Sequence, residues 1–367
     1  MIAKTLFTIW TFGLGLSLQA QQTPFLDPLY AANLSSNIEY GTGSVGNPQS
    51  GQIPLLLDLY QPNGAGLPKS LPGFVVIHGG GFTGGSKTQD SIVQLCQAYA
   101  RRGYVVVSID YRLTGDSPTL EPGPTAGQTP RARAINAAAQ DGAKAVRWLR
   151  TNAASLGLDP NRIAIGGGSA GAIAALFTAY QEADTLGLDA NVSVILDLWG
   201  GMNGAESLVD ADDPPVFIVH GTEDPTVAVM QSENLVSRLD LIGLNYLYFP
   251  IEDAGHGAWN PFFNNLIEGK TIDRHCAEFF FKTLGLIEIY PGASALPSVL
   301  VDEPANTVEV SVATDSNLLY QLFSSSDLTI WNPVHTDKIA GDGSPLGIVT
   351  GPVGTQTFYR WLIFPGF

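Results

Sequence analysis

Cysteine and positive charge are both scarce in this sequence: 367 residues contain two cysteines, and 18 Lys plus Arg face 34 Asp plus Glu. Cys96 and Cys276 lie far apart and cannot make a zinc site by themselves. A formal net charge of -16 repels nucleic acid and anionic membrane surfaces, which excludes both as expected partners. Long apolar runs are scarce too. Only Leu6 to Leu18 is mostly apolar over such a length, and it is shorter than the roughly 20 residues that a spanning helix needs. With Lys4 before it and the small Ala20 and a Gln pair after it, this run reads as a secretory signal peptide over 1–20. The mature chain is therefore expected to lack a transmembrane segment and to be secreted, periplasmic or held at the cell surface. Histidine is also rare, with five in the chain, so few residues can serve as a base.

Between about Ile53 and Leu284, short β-branched runs alternate with longer helical ones. The strand-like runs are "LLLDLY", "FVVIH", "YVVVSID", "RIAIG", "VSVILDL", "VFIVH" and "NYLYFP". The helix-like runs include Ser91 to Arg102, Ala132 to Leu156, Ala170 to Ala183 and Val227 to Leu241. Such alternation predicts an α/β domain over 21–288, with a mostly parallel sheet and helices on both faces. Chemistry in that architecture sits at the carboxyl ends of the strands. A Pro- and Gly-containing linker over 289–298 leads into short alternating runs, read as a small all-β module over 299–367.

The stretch "IGGGSAGAIAAL", Ile165 to Leu176, joins a strand to a helix and satisfies two patterns at once. Gly166, Gly168 and Gly171 fit G-x-G-x-x-G, a pyrophosphate cradle. Gly167, Ser169 and Gly171 fit G-x-S-x-G, a turn that lifts a serine hydroxyl above the sheet. A third reading is that small residues simply allow close packing. The rest of the chain decides. A dinucleotide site would place its glycines after the first strand, whereas several strands precede these.

A serine nucleophile needs a base and a group to orient that base. "VFIVHGTEDPTV" presents Asp224 after a strand, with Glu223 as the rival acid; Asp212 and Asp213 read as solvated loop charges and His220 as a strand cap. "EDAGHGAW" presents His256 in the loop after the last strand, completing the order Ser169, Asp224, His256. His275 and His335 have no such placement. Earlier, "VVIHGGGF" puts consecutive glycines directly after a strand, where bare backbone amides can hold a negative oxygen.

Jointly, "LDLYQP", "HGGGF", "RRGYVVVSIDYRL", "QDGAKAVRWLRTNAASLGLDPNRIAIGGGSAGA", "PPVFIVHGTEDPTV" and "GHG" resemble the α/β-hydrolase superfamily over about Leu55 to Leu284. Within it they look like the H-G-G-G serine carboxylesterases, close to hormone-sensitive-lipase-like and acetylxylan or feruloyl esterase groups. The resemblance implies an α/β-hydrolase fold and a Ser-His-Asp triad. It also implies an oxyanion hole from the amides of Gly80, Gly81 and Ala170, and no metal or cofactor. Asp110, Arg112, Asp141 and Arg147 would support the fold. One departure is Gly168, where many relatives carry Asp, Glu or Ser. In this fold the helices bearing Cys96 and Cys276 would lie side by side, so a disulfide is an expectation, with two separately buried thiols as its alternative.

Only a short loop separates the strand ending near Leu198 from the one starting at Val216, too short for a large cap domain. An open pocket follows, bordered by the loop Thr114 to Pro130, with Phe82, Trp199, Met202 and Trp259 as candidate lining residues. An open site on an exported enzyme suits short-acyl, plant-polymer or aromatic esters, whether small molecules or polymer-linked. The alternatives are a serine peptidase on the same fold and a non-catalytic hydrolase-like binding or adhesion protein. The terminal module resembles short β modules of secreted bacterial proteins, with carbohydrate binding, surface attachment and a stability appendage as its candidate roles.

Overall fold

The computed structural model describes residues 23–46, 50–120, 128–182 and 190–286, and strand segments within 298–365. The expected signal peptide and nearly all of the linker lie outside the described residues. An eight-stranded sheet organises the first part, in the order β1-β2-β4-β3-β5-β6-β7-β8. Its strands are β1 (Ala31–Val45), β2 (Gly51–Asn63), β3 (Leu71–Ile77), β4 (Val105–Ile109), β5 (Leu158–Gly168), β6 (Val194–Leu198), β7 (Val216–Gly221) and β8 (Tyr246–Ile251). β1, β2 and β4 pair antiparallel, and every pairing from β4 through β3 to β8 is parallel. β3, β4, β6 and β7 are buried along their whole length, which explains why they read as unbroken apolar runs rather than as alternating ones.

The helices are α1 (Asp90–Arg102), α2 (Pro130–Thr151), α3 (Ala153–Leu156), α4 (Ala170–Phe177), α5 (Met230–Ile242), α6 (Trp259–Asn264) and α7 (Ile272–Thr283). α2 starts with Pro130 at its first position and Thr129 Oγ1 accepting from the Ala132 amide at 3.2 Å, an N-cap legible in "TPRA". Strand periodicity assigns the helices to faces. Phe74 of β3 meets Tyr99 of α1 and Phe280 of α7 at ring separations of 5.0 and 5.4 Å. Ile77, three residues on and so on the other face, lies against Gly142 of α2.

Two expectations change here. The sequence reading starts the sheet near Ile53, but β1 precedes it as the edge strand. Its residues "AANLSSNIEYGTGSV" are mostly exposed and two register shifts interrupt them, so the apolar alternation that marks a strand is missing. The expected disulfide is absent, since Cys96 and Cys276 are both free and buried. α1 and α7 do lie side by side, joined by a buried Arg102–Asp273 ion pair. Cys96 faces Ser108 of β4 and Asp58 of β2, however, whereas Cys276 lies against Tyr99, a turn further along α1. Burial pushes both thiols well above their usual range, which keeps them protonated and inert.

Past the first part, the described strands form two small antiparallel sheets. One joins Ser298–Asp302, Thr307–Val312 and Leu346–Thr350. The other pairs Leu318–Ser325 with Phe358–Pro365 and with two short strands, Asn332–Pro333 and Ile339–Ala340. The second part is thus all-β among the described residues.

Candidate active site

Ser169 sits between the end of β5 and the start of α4 with φ 58° and ψ -122°, a positive-φ conformation that non-glycine residues rarely adopt. The flanking glycines make the turn possible. A Cβ on Gly167 or on Gly171 would stand 2.2 or 2.0 Å from the Ile77 carbonyl oxygen of β3, so the turn closes directly against the neighbouring strand. The Ser169 amide donates to the Leu198 carbonyl at 2.9 Å, and its carbonyl accepts from the Ile173 amide at 3.0 Å. The strained residue is thereby tied to β6 on one side and to α4 on the other.

Asp224 follows β7 in a tight turn, with Pro225 fixing the next φ. Its Oδ1 accepts from the amides of Thr226 and Val227 at 2.7 and 2.9 Å. Burial pushes this carboxyl up, but hydrogen bonds from His256, Val227 and Thr226 outweigh that and hold its pKa below the usual carboxylate range. His220, buried beneath it, contacts Ser232 Oγ through Nδ1 at 2.7 Å and the Val227 carbonyl through Nε2 at 2.9 Å. Burial lowers the His220 pKa, leaving a neutral ring that braces the Asp224 turn.

His256 enters from the loop after β8, and the Glu223 amide clamps that loop to the turn after β7 by donating to the Ala254 carbonyl at 3.0 Å. The ring spans the gap: Nδ1 lies 2.6 Å from Asp224 Oδ2 and Nε2 lies 2.9 Å from Ser169 Oγ. Three residues that are 55 and 32 positions apart in sequence therefore form one hydrogen-bonded chain. Glu223, the rival acid, takes no part in it.

The chain opens into a cleft of about 420 Å³ lined by Gly79, Gly80, Gly81, Gln89, Gly168, Ser169, Trp199, Thr226, His256, Gly257 and Trp259. Gly80 and Gly81 thus border the same space as Ser169. The Gly80 carbonyl accepts from the amides of Thr83 and Gly84 at 3.1 and 3.2 Å, which fixes the shape of this loop. Ala170 is the first residue of α4, where an amide has no partner within its own helix. His78, just before the glycines, stacks on Tyr111 at 4.4 Å with its Nδ1 2.7 Å from the Gly79 carbonyl oxygen. Burial lowers its pKa as well, consistent with a shaping role. A larger groove of about 500 Å³, bordered by Asp210, Asp212 and Asp213, contains none of these residues.

Of the four candidate pocket residues, Trp199 and Trp259 line the cleft and Phe82 and Met202 do not. Phe82, which has a positive φ of 63°, is fully buried, packed on Tyr111 and beneath the Arg131 guanidinium. Met202 belongs to the core. Gln89 and Thr226 were absent from the sequence reading: Gln89 precedes α1 and Thr226 follows Asp224 by two residues. No local pattern marks Gln89, whereas the turn "DPT" could have pointed to Thr226. No group of three or more His, Cys, Asp or Glu side chains suited to a metal ion occurs among the described residues. No helix among them is long and apolar enough to cross a membrane.

The BD-FAE family model matches residues 57–200 and 202–239. Carboxylesterase NlhH of Mycobacterium tuberculosis is 38% identical over 103 residues, 28% of this chain and 27% of the relative. Esterase LipQ of the same species is 26% identical over 268 residues, covering 62% of this chain and 58% of the relative. The chain thus spans about a quarter of one relative and under two thirds of the other. Among solved structures, MGS-M1, an α/β-hydrolase enzyme from a deep-sea metagenome library of the Medee basin, superimposes with a TM-score of 0.50. It is 18% identical and covers 70% of this chain and 99% of its own.

Proposed function

Because this chain has the α/β-hydrolase fold and matches the BD-FAE family model over residues 57–200 and 202–239, we propose that it is a serine carboxylic ester hydrolase working through Ser169, His256 and Asp224. One observation carries the reading: the unbroken hydrogen-bonded sequence Ser169 Oγ, His256 Nε2, His256 Nδ1, Asp224 Oδ2, with links of 2.9 and 2.6 Å. His256 Nε2 takes the proton as Ser169 Oγ attacks the ester carbonyl, and Asp224, held ionised by its three donors, stabilises the imidazolium that results. The amides of Gly80, Gly81 and Ala170 face the oxyanion. The tetrahedral intermediate expels the alcohol, which leaves with the proton from Nε2. Water, deprotonated by the same nitrogen, then releases the acid and restores Ser169.

The open cleft with its two tryptophan rings suits short-acyl or aromatic esters, free or attached to a polymer. Export through the leader at 1–20 completes the reading and would bring the enzyme to such substrates outside the cell. Carbohydrate or surface attachment is the proposed role of the module at 299–367. The test is hydrolysis of acetyl, butyryl, feruloyl and long-chain nitrophenyl esters by the wild type and by Ser169→Ala. Activity is expected to fall by about ten-thousand-fold or more in the variant, with short-acyl or feruloyl esters ranking first. A variant that kept the wild-type rate would overturn the serine mechanism.

A further inference from the structure

β6 reads "VILDL": an acid stands in the middle of a fully buried apolar strand. Asp197 is completely buried, and no cationic side chain pairs with it among the described residues. Its Oδ1 accepts from the Gly200 amide at 2.9 Å, while Oδ2 has no hydrogen-bond partner among the described residues. The titratable side chains that sense it are Tyr180 and, on β8, Tyr248. Burial pushes this carboxyl up to about 7, so its neutral form persists to near neutrality. Leaving a polar atom unpaired in the core destabilises the fold, and the question is what the other oxygen achieves.

Oδ1 closes the turn Asp197–Gly200, which holds Trp199 at φ 45°, an unusual conformation for a large aromatic residue. The packing inside the turn is tight, since a Cβ on Gly200 would lie 2.5 Å from Asp197 Oδ1 and 2.6 Å from Ala172 Cβ. Two further hydrogen bonds tie the same turn to the site: the Trp199 amide donates to the Val219 carbonyl at 2.7 Å, and the Ser169 amide donates to the Leu198 carbonyl. The turn directs the Trp199 indole over Gly168. A Cβ on Gly168 would stand 3.2 Å from Trp199 Nε1 and 2.9 Å from Trp259 Cζ2. The two indoles meet edge to face at 5.0 Å and 85°. They fill the place of a side chain at 168, directly beside the nucleophile, which accounts for glycine at that position.

We propose that Asp197 is a positioning residue for ester selectivity, its Oδ1 holding the Trp199–Gly200 turn so that the Trp199 indole limits the bulk of the group seated beside Ser169. The proposal rests on the esterase reading above. Its test is a double-mutant cycle on Asp197 and Trp199, reading the ratio of kcat/KM for nitrophenyl hexanoate to that for nitrophenyl acetate. Trp199→Ala opens the space over Gly168 and is expected to raise the ratio by roughly tenfold. Asp197→Ala should move it in the same direction, and should add nothing further once Trp199 is already Ala. Asp197→Asn, which keeps an acceptor for the Gly200 amide, should restore the wild-type ratio. Should Asp197→Ala fail to fold, Asp197→Leu removes the same acceptor while filling the space, and the same shift is expected. Folded Ala or Leu variants with the wild-type ratio would overturn the proposal while leaving the esterase reading intact. So would shifts that simply add to that of Trp199→Ala. A wild type that hydrolysed neither ester would overturn both.

Discussion

At Ser169 the backbone is strained and the side chain is poised, and the two facts have one cause. Gly167 and Gly171 let the turn press against the Ile77 carbonyl, and only a turn that tight sets the hydroxyl 2.9 Å from His256 Nε2. Asp224 and Asp197, two of the buried aspartates, show how neighbours decide ionisation at this scale. Asp224 has three donors and a depressed pKa. Its contribution to stability is present above the unfolded-state value and is lost as pH falls through the lower folded value. Asp197 has one donor and a raised pKa of about 7, so the sign reverses. Stability is highest while this acid is protonated, and falls as pH rises from the unfolded value near 4 through 7. The shift of about 3 pKa units corresponds to roughly 4 kcal/mol at the upper end of that window. Thermal unfolding of wild type and Asp197→Asn from pH 5 to pH 8 should show the variant gaining on the wild type as pH rises. Parallel curves would mean that Asp197 does not ionise in this range.

The elements show why some expectations held in position and failed in detail. α1 and α7 do pack together, as the fold requires, and the Arg102–Asp273 pair and the Tyr99–Phe280 contact at 5.6 Å join them. Adjacent helices do not bring every residue on them together, and Cys96 and Cys276 meet different neighbours. Labelling the denatured, unreduced protein is therefore expected to count two free thiols; a count of zero would contradict the packing. The buried parallel strands were legible because burial on both faces demands an unbroken apolar run. β1 was not, because an exposed edge strand satisfies its backbone through pairing with β2 and places little demand on its side chains.

At the scale of the whole molecule, the described residues that line the cleft come from positions 79–259, within the eight-stranded sheet and the segments that join and follow its strands. The strands beyond Ser298 make their own antiparallel pairings. A chain ending at Ser298 should accordingly keep its kcat/KM on small nitrophenyl esters. Comparing its retention on insoluble polysaccharide with that of the full chain tests the role proposed for the module, and equal retention would remove carbohydrate binding from it. The strong negative charge acts at this scale too, favouring neutral or cationic partners over polyanions.

The sequence by itself determined the α/β architecture, the strand-turn-helix around Ser169 and the chain order of Ser169, Asp224 and His256. These are local features, written in runs of a few residues and in glycines that no side chain could replace. Only the tertiary structure decided which side chains face the cleft. Phe82 and Trp199 both have positive φ and both pack into the core, yet only Trp199 also lines the cleft beside Ser169. The apolar string around Asp197 gave no sign that its carboxyl holds that second ring in place. Side-chain direction at a turn depends on what the neighbouring strands leave open, and that is set by residues distant in the chain.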